Sequence, residues 1–178
     1  MKKIVFNLFV LLAMFSFSSC IQVEFKNPQP EGIAAMESFP DKLVGTYLMY
    51  DKDTVHVFKG GLKLNRDSLG TWQIFSISKN LVVKDWNHRL FINIADSTQT
   101  SWILYILDER HDSLFLSSVA LNSSDSISYQ NLKKICEVEA IYNSEQVLDL
   151  VRIDPSQKQL KKILKKVKFI KLGHLKKI

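Results

Sequence analysis

Hydrophobic positions change their spacing several times along these 178 residues, and each change predicts an element. Residues 4–17 form an almost unbroken apolar run, and residues 21–39 then show little periodicity and hold Pro28, Pro30 and Gly32. From Leu43 onward come short segments rich in β-branched and aromatic residues, at 43–50, 54–58, 69–77, 81–83, 90–94, 101–107 and 113–121. Turn formers bound them, which is the pattern of strands. Thr54-Val55-His56-Val57 and Phe91-Ile92-Asn93-Ile94 alternate as half-buried strands do, whereas 101–107 is apolar on both faces and suits a central strand.

Helical spacing occurs twice. Residues 126–135 place Tyr129, Leu132 and Ile135 along one face behind Asp125 or Ser126 as cap. Later, Asp154 stands at a cap position, Pro155 at the first helical position, and Leu160, Ile163, Leu164 and Val167 recur at helical intervals with lysines opposite. Between the helices, 137–142 and 147–153 read as a hairpin turned at Asn143-Ser144-Glu145. Residues 169–178 read as a closing strand interrupted at Gly173. The expected fold is mainly β (α+β): an antiparallel meander or partly closed β-barrel with one or two short helices, including a C-terminal basic amphipathic helix.

The first twenty residues carry an address. Lys2 and Lys3 precede a 14-residue apolar run, which suits a signal-peptide core and is short for a bilayer crossing. Ser18-Ser19-Cys20 resembles the lipobox of bacterial lipoprotein precursors, in which the cysteine is lipidated and becomes the new N-terminus. The resemblance implies a signal peptide at 1–19, lipid attachment at Cys20, a tether through residue 40, and one β-rich domain at 41–178. Ile21 is not the acidic residue that retains some lipoproteins at the inner membrane, so the resemblance implies an outer-membrane anchor of unspecified face. The order of features also resembles small lipoproteins of the Bacteroidetes type: the short leader, a Pro-rich stretch ending Phe39-Pro40-Asp41-Lys42-Leu43-Val44-Gly45-Thr46-Tyr47, a β-rich body, and Pro-Ser-x-Lys-x-Leu-Lys-Lys at 155–162. That likeness implies no activity.

Composition narrows the class. Hydrophobic residues at 46% and aromatics at 11% exclude a disordered chain. The net charge of +6 is concentrated: residues 156–178 hold nine lysines and no acid, leaving a mildly acidic body with a basic tail. That argues against nucleic-acid binding and allows the tail to meet an acidic surface. With Cys20 lipidated, Cys136 has no disulfide partner and reads as a small buried apolar residue.

No catalytic or cofactor motif emerges. His56, His88, His111 and His174 stand far apart, without metal-ligand spacing, so no metal is expected. Ser68 lacks the G-x-S-x-G elbow, and Gly60-Gly61 lacks the lysine of a P-loop and reads as a hairpin turn. The Asp-Ser/Thr pairs at 53, 67, 96, 112 and 125 suit turns. Gly45-Thr46-Tyr47 and Gly70-Thr71-Trp72 resemble the G-x-W and G-T-W of lipocalins and fatty-acid-binding proteins, barrels that hold apolar ligands. That resemblance implies a cavity reached by Tyr47, Trp72, Phe75 and Trp102.

The expected function is non-enzymatic and needs no cofactor. An envelope protein held by its lipid would bind another protein or envelope component through its β domain. The alternative is a lipocalin-like carrier of a small apolar ligand. The anchor has a direct check: Cys20→Ala should abolish metabolic fatty-acid labelling of the chain, and label that persists would refute it.

Overall fold

Two hydrophobic cores share one wall of three strands. In the computed structural model, residues 20–49, 53–66, 71–110, 113–122, 126–167 and 169–178 are described. The leader 1–19 therefore lies outside the described residues, as do Asp67-Ser68, Gly70, His111, Asp112 and Asp125. The shared wall consists of β7 (Arg89–Ala95), β8 (Trp102–Arg110) and β9 (Ser113–Asn122), antiparallel neighbours in that order. Side chains alternate across a strand, so one strand feeds both faces. Leu104 and Ile106 of β8, Phe91 of β7 and Val119 and Leu121 of β9 enter one core. Tyr105 and Leu107, Leu90 and Ile92, and Leu114 and Leu116 enter the other. The two-faced apolar stretch at 101–107 is this central strand.

The first core is covered by helices. Helix α1 (Ser126–Ile135) buries Leu132, and α2 (Gln157–Lys166) buries Leu160 and Ile163. The expected cap Asp154 is displaced by Ser156, whose Oγ accepts from Gln159 N while the Gln159 side chain accepts from Ser156 N. This reciprocal box satisfies two helix-end donors, which Asp154 lies too far upstream to do. Hairpin β10 (Val138–Tyr142) and β11 (Leu148–Ile153) extends the same sheet.

The reading of 20–40 as a tether is corrected here. Cys20–Phe25 is strand β1, which runs across the splayed base of the β8–β9 hairpin. It is antiparallel to β9 at Cys20–Gln22, antiparallel to β8 at Glu24 and Phe25, and parallel to β11 from Gln22 to Phe25. Ile21, Val23 and Phe25 point into the helix-covered core, and Phe25 is fully buried. Glu24, also buried, accepts from Ser101 Oγ at 2.5 Å and Gln22 Nε2 at 2.9 Å and faces Arg152 at 3.5 Å. These partners offset the desolvation of its charge.

Residues beyond β1 are strapped down as well. Gln29 donates through its N–H to Asn93 Oδ1 at 2.7 Å and accepts from Asn93 Nδ2 at 2.8 Å. Lys84 donates to the carbonyls of Pro28 and Pro30, each at 2.8 Å, and burial pushes its pKa below the ordinary lysine value, with Glu31 opposing the shift. Met36 donates to the Val83 carbonyl and Phe39 to that of Lys59.

On its other face the wall curls into a nearly closed barrel. From β9 the sheet passes to β12 (Phe169–Lys177), β2 (Gly45–Leu48), β3 (Thr54–Phe58), β4 (Gly61–Arg66) and β5 (Thr71–Ser76). On the far side of β7 stands β6 (Leu81–Trp86), which meets the end of β5 only through the Ile77–Leu81 bridge. Strand β12 carries a bulge between Lys171 and Gly173, the interruption expected at that glycine. Gly61 closes the β3–β4 turn, and a Cβ there would stand 2.1 Å from the Phe75 carbonyl oxygen.

Because β1 is part of the core, Phe25→Ala should destabilise the fold by about 3–5 kcal/mol. A urea titration would show this as a lowered midpoint. An unchanged midpoint would return 20–40 to the status of a tether.

Candidate functional site

The barrel side of the wall does not fill with side chains. A cavity of about 900 Å³ remains there, within the size range of ligand sites. Its wall is largely aliphatic and aromatic because the inward parity of most surrounding strands is apolar: Val55 and Val57 on β3, Leu62 and Leu64 on β4, Ile92 and Ile94 on β7, and Leu114 and Leu116 on β9. Phe39 and Leu43 close one side from the strapped segment and the 3-10 turn at Asp41–Leu43.

Besides the hydroxyls of Tyr47 and Tyr105, the polar residues of the lining are Asp53, Gln73, Asn80, Asp96, Ser97 and Gln99, none of them buried. Asp96 is the most organised of these. Its carboxylate accepts from Thr100 N at 2.8 Å, from Ser101 N at 3.1 Å and from Thr98 Oγ1. Desolvation raises its pKa, yet the hydrogen bonds from Thr98, Ser101 and Thr100 outweigh that and hold it below the usual carboxylate range. Here the turn chemistry expected of the Asp-Ser/Thr pairs is present.

Of the four residues expected at a cavity, the structure brings two together. Tyr47, in the Gly45-Thr46-Tyr47 start of β2, is buried in the lining and donates from its hydroxyl to the Leu43 carbonyl at 3.0 Å. Burial, and secondarily the charge of Glu109, raises its pKa. Phe75 lines the cavity from β5, opposite Leu62. Trp72 is corrected: it lies opposite Asn65 on the outward parity of β5, is 55% exposed, and carries Lys63 Nζ at 3.8 Å over its ring. Trp102 is corrected as well, because it shares β8 parity with Leu104 and Ile106 and packs against the helix-covered core. Sequence reasoning missed the lining residues of β4 altogether, although Leu62 and Leu64 alternate with Lys63 and Asn65 as a half-buried strand does.

Other groups considered for chemistry have structural settings. His56 Nδ1 lies 3.0 Å from Thr46 Oγ1 on the neighbouring strand, and the side chains of His111 and His174 lie outside the described residues. Among the described residues no three His, Cys, Asp or Glu side chains converge as metal ligands, and no helix is long and apolar enough to cross a membrane. A smaller cleft of about 270 Å³ holds His88, Arg89 and Glu109; Arg89 pairs with Asp108 at 2.9 Å and Lys42 with Glu109. Cys20 heads β1, with its side chain outside the description.

Comparison with protein-family models, with curated proteins and with solved structures finds no match.

Cys136, at the end of α1, is buried in the helix-covered core, and burial pushes its thiol up to about 11. A thiolate is the reactive form, so this cysteine should be inert. Iodoacetamide at neutral pH should leave the Cys136 peptide unmodified in the folded chain and modify it in urea, as read by peptide mass. Labelling of the folded protein at a free thiol's rate would contradict this setting.

Proposed function

We propose that this chain is a lipid-anchored envelope protein that holds a small apolar ligand inside its barrel. One observation carries the reading: the cavity of about 900 Å³ walled by aliphatic and aromatic side chains. The cavity is open to solvent, and an apolar occupant would release the water that its apolar wall otherwise orders. The lining favours apolar ligand bodies, with hydrogen-bonding groups kept at its exposed part. The anchor half of the proposal rests on the positively charged start, the apolar run and the Ser-Ser-Cys ending.

A second reading has its own observation. Strand β5 ends the hydrogen-bonded path of the sheet and presents Trp72, 55% exposed, next to Ile74, which is 59% exposed and also lines the cavity. Exposed edges with large apolar side chains recruit added strands or partner surfaces. Under that reading another envelope protein docks on β5.

Native mass spectrometry of the protein, extracted from its own membranes in mild detergent, separates the readings. The denatured mass should correspond to cleavage before Cys20 with acyl chains added. The native spectrum should carry a stoichiometric small mass that is lost on denaturation. A protein-sized partner in its place would favour docking at β5. A bare chain that also fails to take up a neutral fluorescent probe would sink the carrier reading.

A further inference from the structure

The charge at the cavity selects among apolar ligands, an inference that rests on reading the barrel as a carrier. A ligand with an apolar body and one polar end places the body against the buried aliphatic wall and the end among the exposed lining groups. Asn80, Asp96, Ser97 and Gln99 gather there from the β5–β6 and β7–β8 turns, which are joined by the Ala95 N–H donating to the Asn80 carbonyl at 3.0 Å. Asp53 contributes a second carboxylate to the lining. Among the described residues lining the cavity there is no lysine, arginine or histidine.

We propose that the cavity takes a non-anionic amphiphile, one whose polar end is a hydroxyl, amide or amine rather than a carboxylate or phosphate. A carboxylate at this end would meet no cation among the described lining residues and would face the negative charge of Asp96. Asp96 cannot readily relieve that repulsion by taking up a proton, because two backbone N–H groups and the Thr98 hydroxyl bind its ionised form. A hydroxyl end, by contrast, can donate to these carboxylates and accept from the amides of Asn80 and Gln99. The site thus discriminates by repulsion at the head group, while the wall accepts any apolar body of suitable volume.

The test is displacement of a neutral naphthylamine probe from the full chain in non-ionic detergent. Dodecanol and dodecanoate, matched in chain length, compete at neutral pH. Dodecanol should displace the probe at a concentration about tenfold lower. Asp96→Asn keeps a side-chain oxygen that accepts from Thr100 and Ser101, so the turn is retained while the charge is lost. It should narrow the alcohol-to-acid ratio by about fivefold. Taking the ratio between wild type and variant cancels partition of the competitors into detergent. If dodecanoate competes as well as dodecanol in the wild type, or if the ratio is the same in Asp96→Asn, the charge selection is overturned and the carrier reading stands. If the probe does not bind, or neither compound displaces it, the carrier reading fails and this inference fails with it.

Discussion

The structure depends on a wall that must be apolar on both faces. Strands β7, β8 and β9 are hydrogen-bonded to one another and covered on each side, by helices on one face and by the curled β2–β5 layer on the other. A polar side chain in the covered part of this wall is shut off from water and needs a partner within the protein. Asn93 shows how the exception is handled: it is fully buried on β7, and its amide is spent on Gln29 and the Val82 carbonyl. Burial without such partners would cost several kcal/mol per group. The segment following β1 is consequently part of the wall's polar accounting and cannot hang free.

The two faces are packed differently, and the difference separates structural from functional space. The helix-covered face brings together Phe25, Leu132, Leu160 and Ile163, all fully buried. Helices can slide and tilt until their side chains fill the space above a sheet. The barrel face has no such freedom, because its second layer is covalently and hydrogen-bond continuous with the first through β12. Medium-sized side chains on a curved layer of fixed radius leave a hollow.

Much of this was legible in the residues, and the failures have definite causes. The central strand was visible because both parities of 101–107 are apolar, and α1 was visible because Tyr129, Leu132 and Ile135 share a face. Strand β1 also alternates, with Ile21, Val23 and Phe25 against Gln22 and Glu24, but the prolines and glycine that follow drew the whole stretch into one irregular segment. Strand β4 was hidden behind Gly60-Gly61, although the turn is made by Lys59 and Gly60 and Gly61 already begins the strand paired with β3. The cap of α2 was set by the Ser156–Gln159 pair, a signal that outweighed the aspartate two residues earlier. The cavity was legible only in part because aromatic character does not reveal parity. Tyr47 and Phe75 fell inward while Trp72 and Trp102 fell on other faces, and only strand register settles which.

Strand order has a consequence for the time course of folding. Glu24 on the first strand meets Arg152, 128 positions along the chain, and Lys177 reaches back 133 positions to the Val44 carbonyl. The opening strand has no sheet partner until β8, β9 and β11 exist, and β9 is joined to β2 only by the final strand. Such distant pairings place this chain among slow folders, since loop closure precedes the contacts that reward it. A chain emerging from its N-terminus therefore leaves Ile21, Val23 and Phe25 uncovered for most of its synthesis, and the barrel core lacks Leu175 until the last strand arrives.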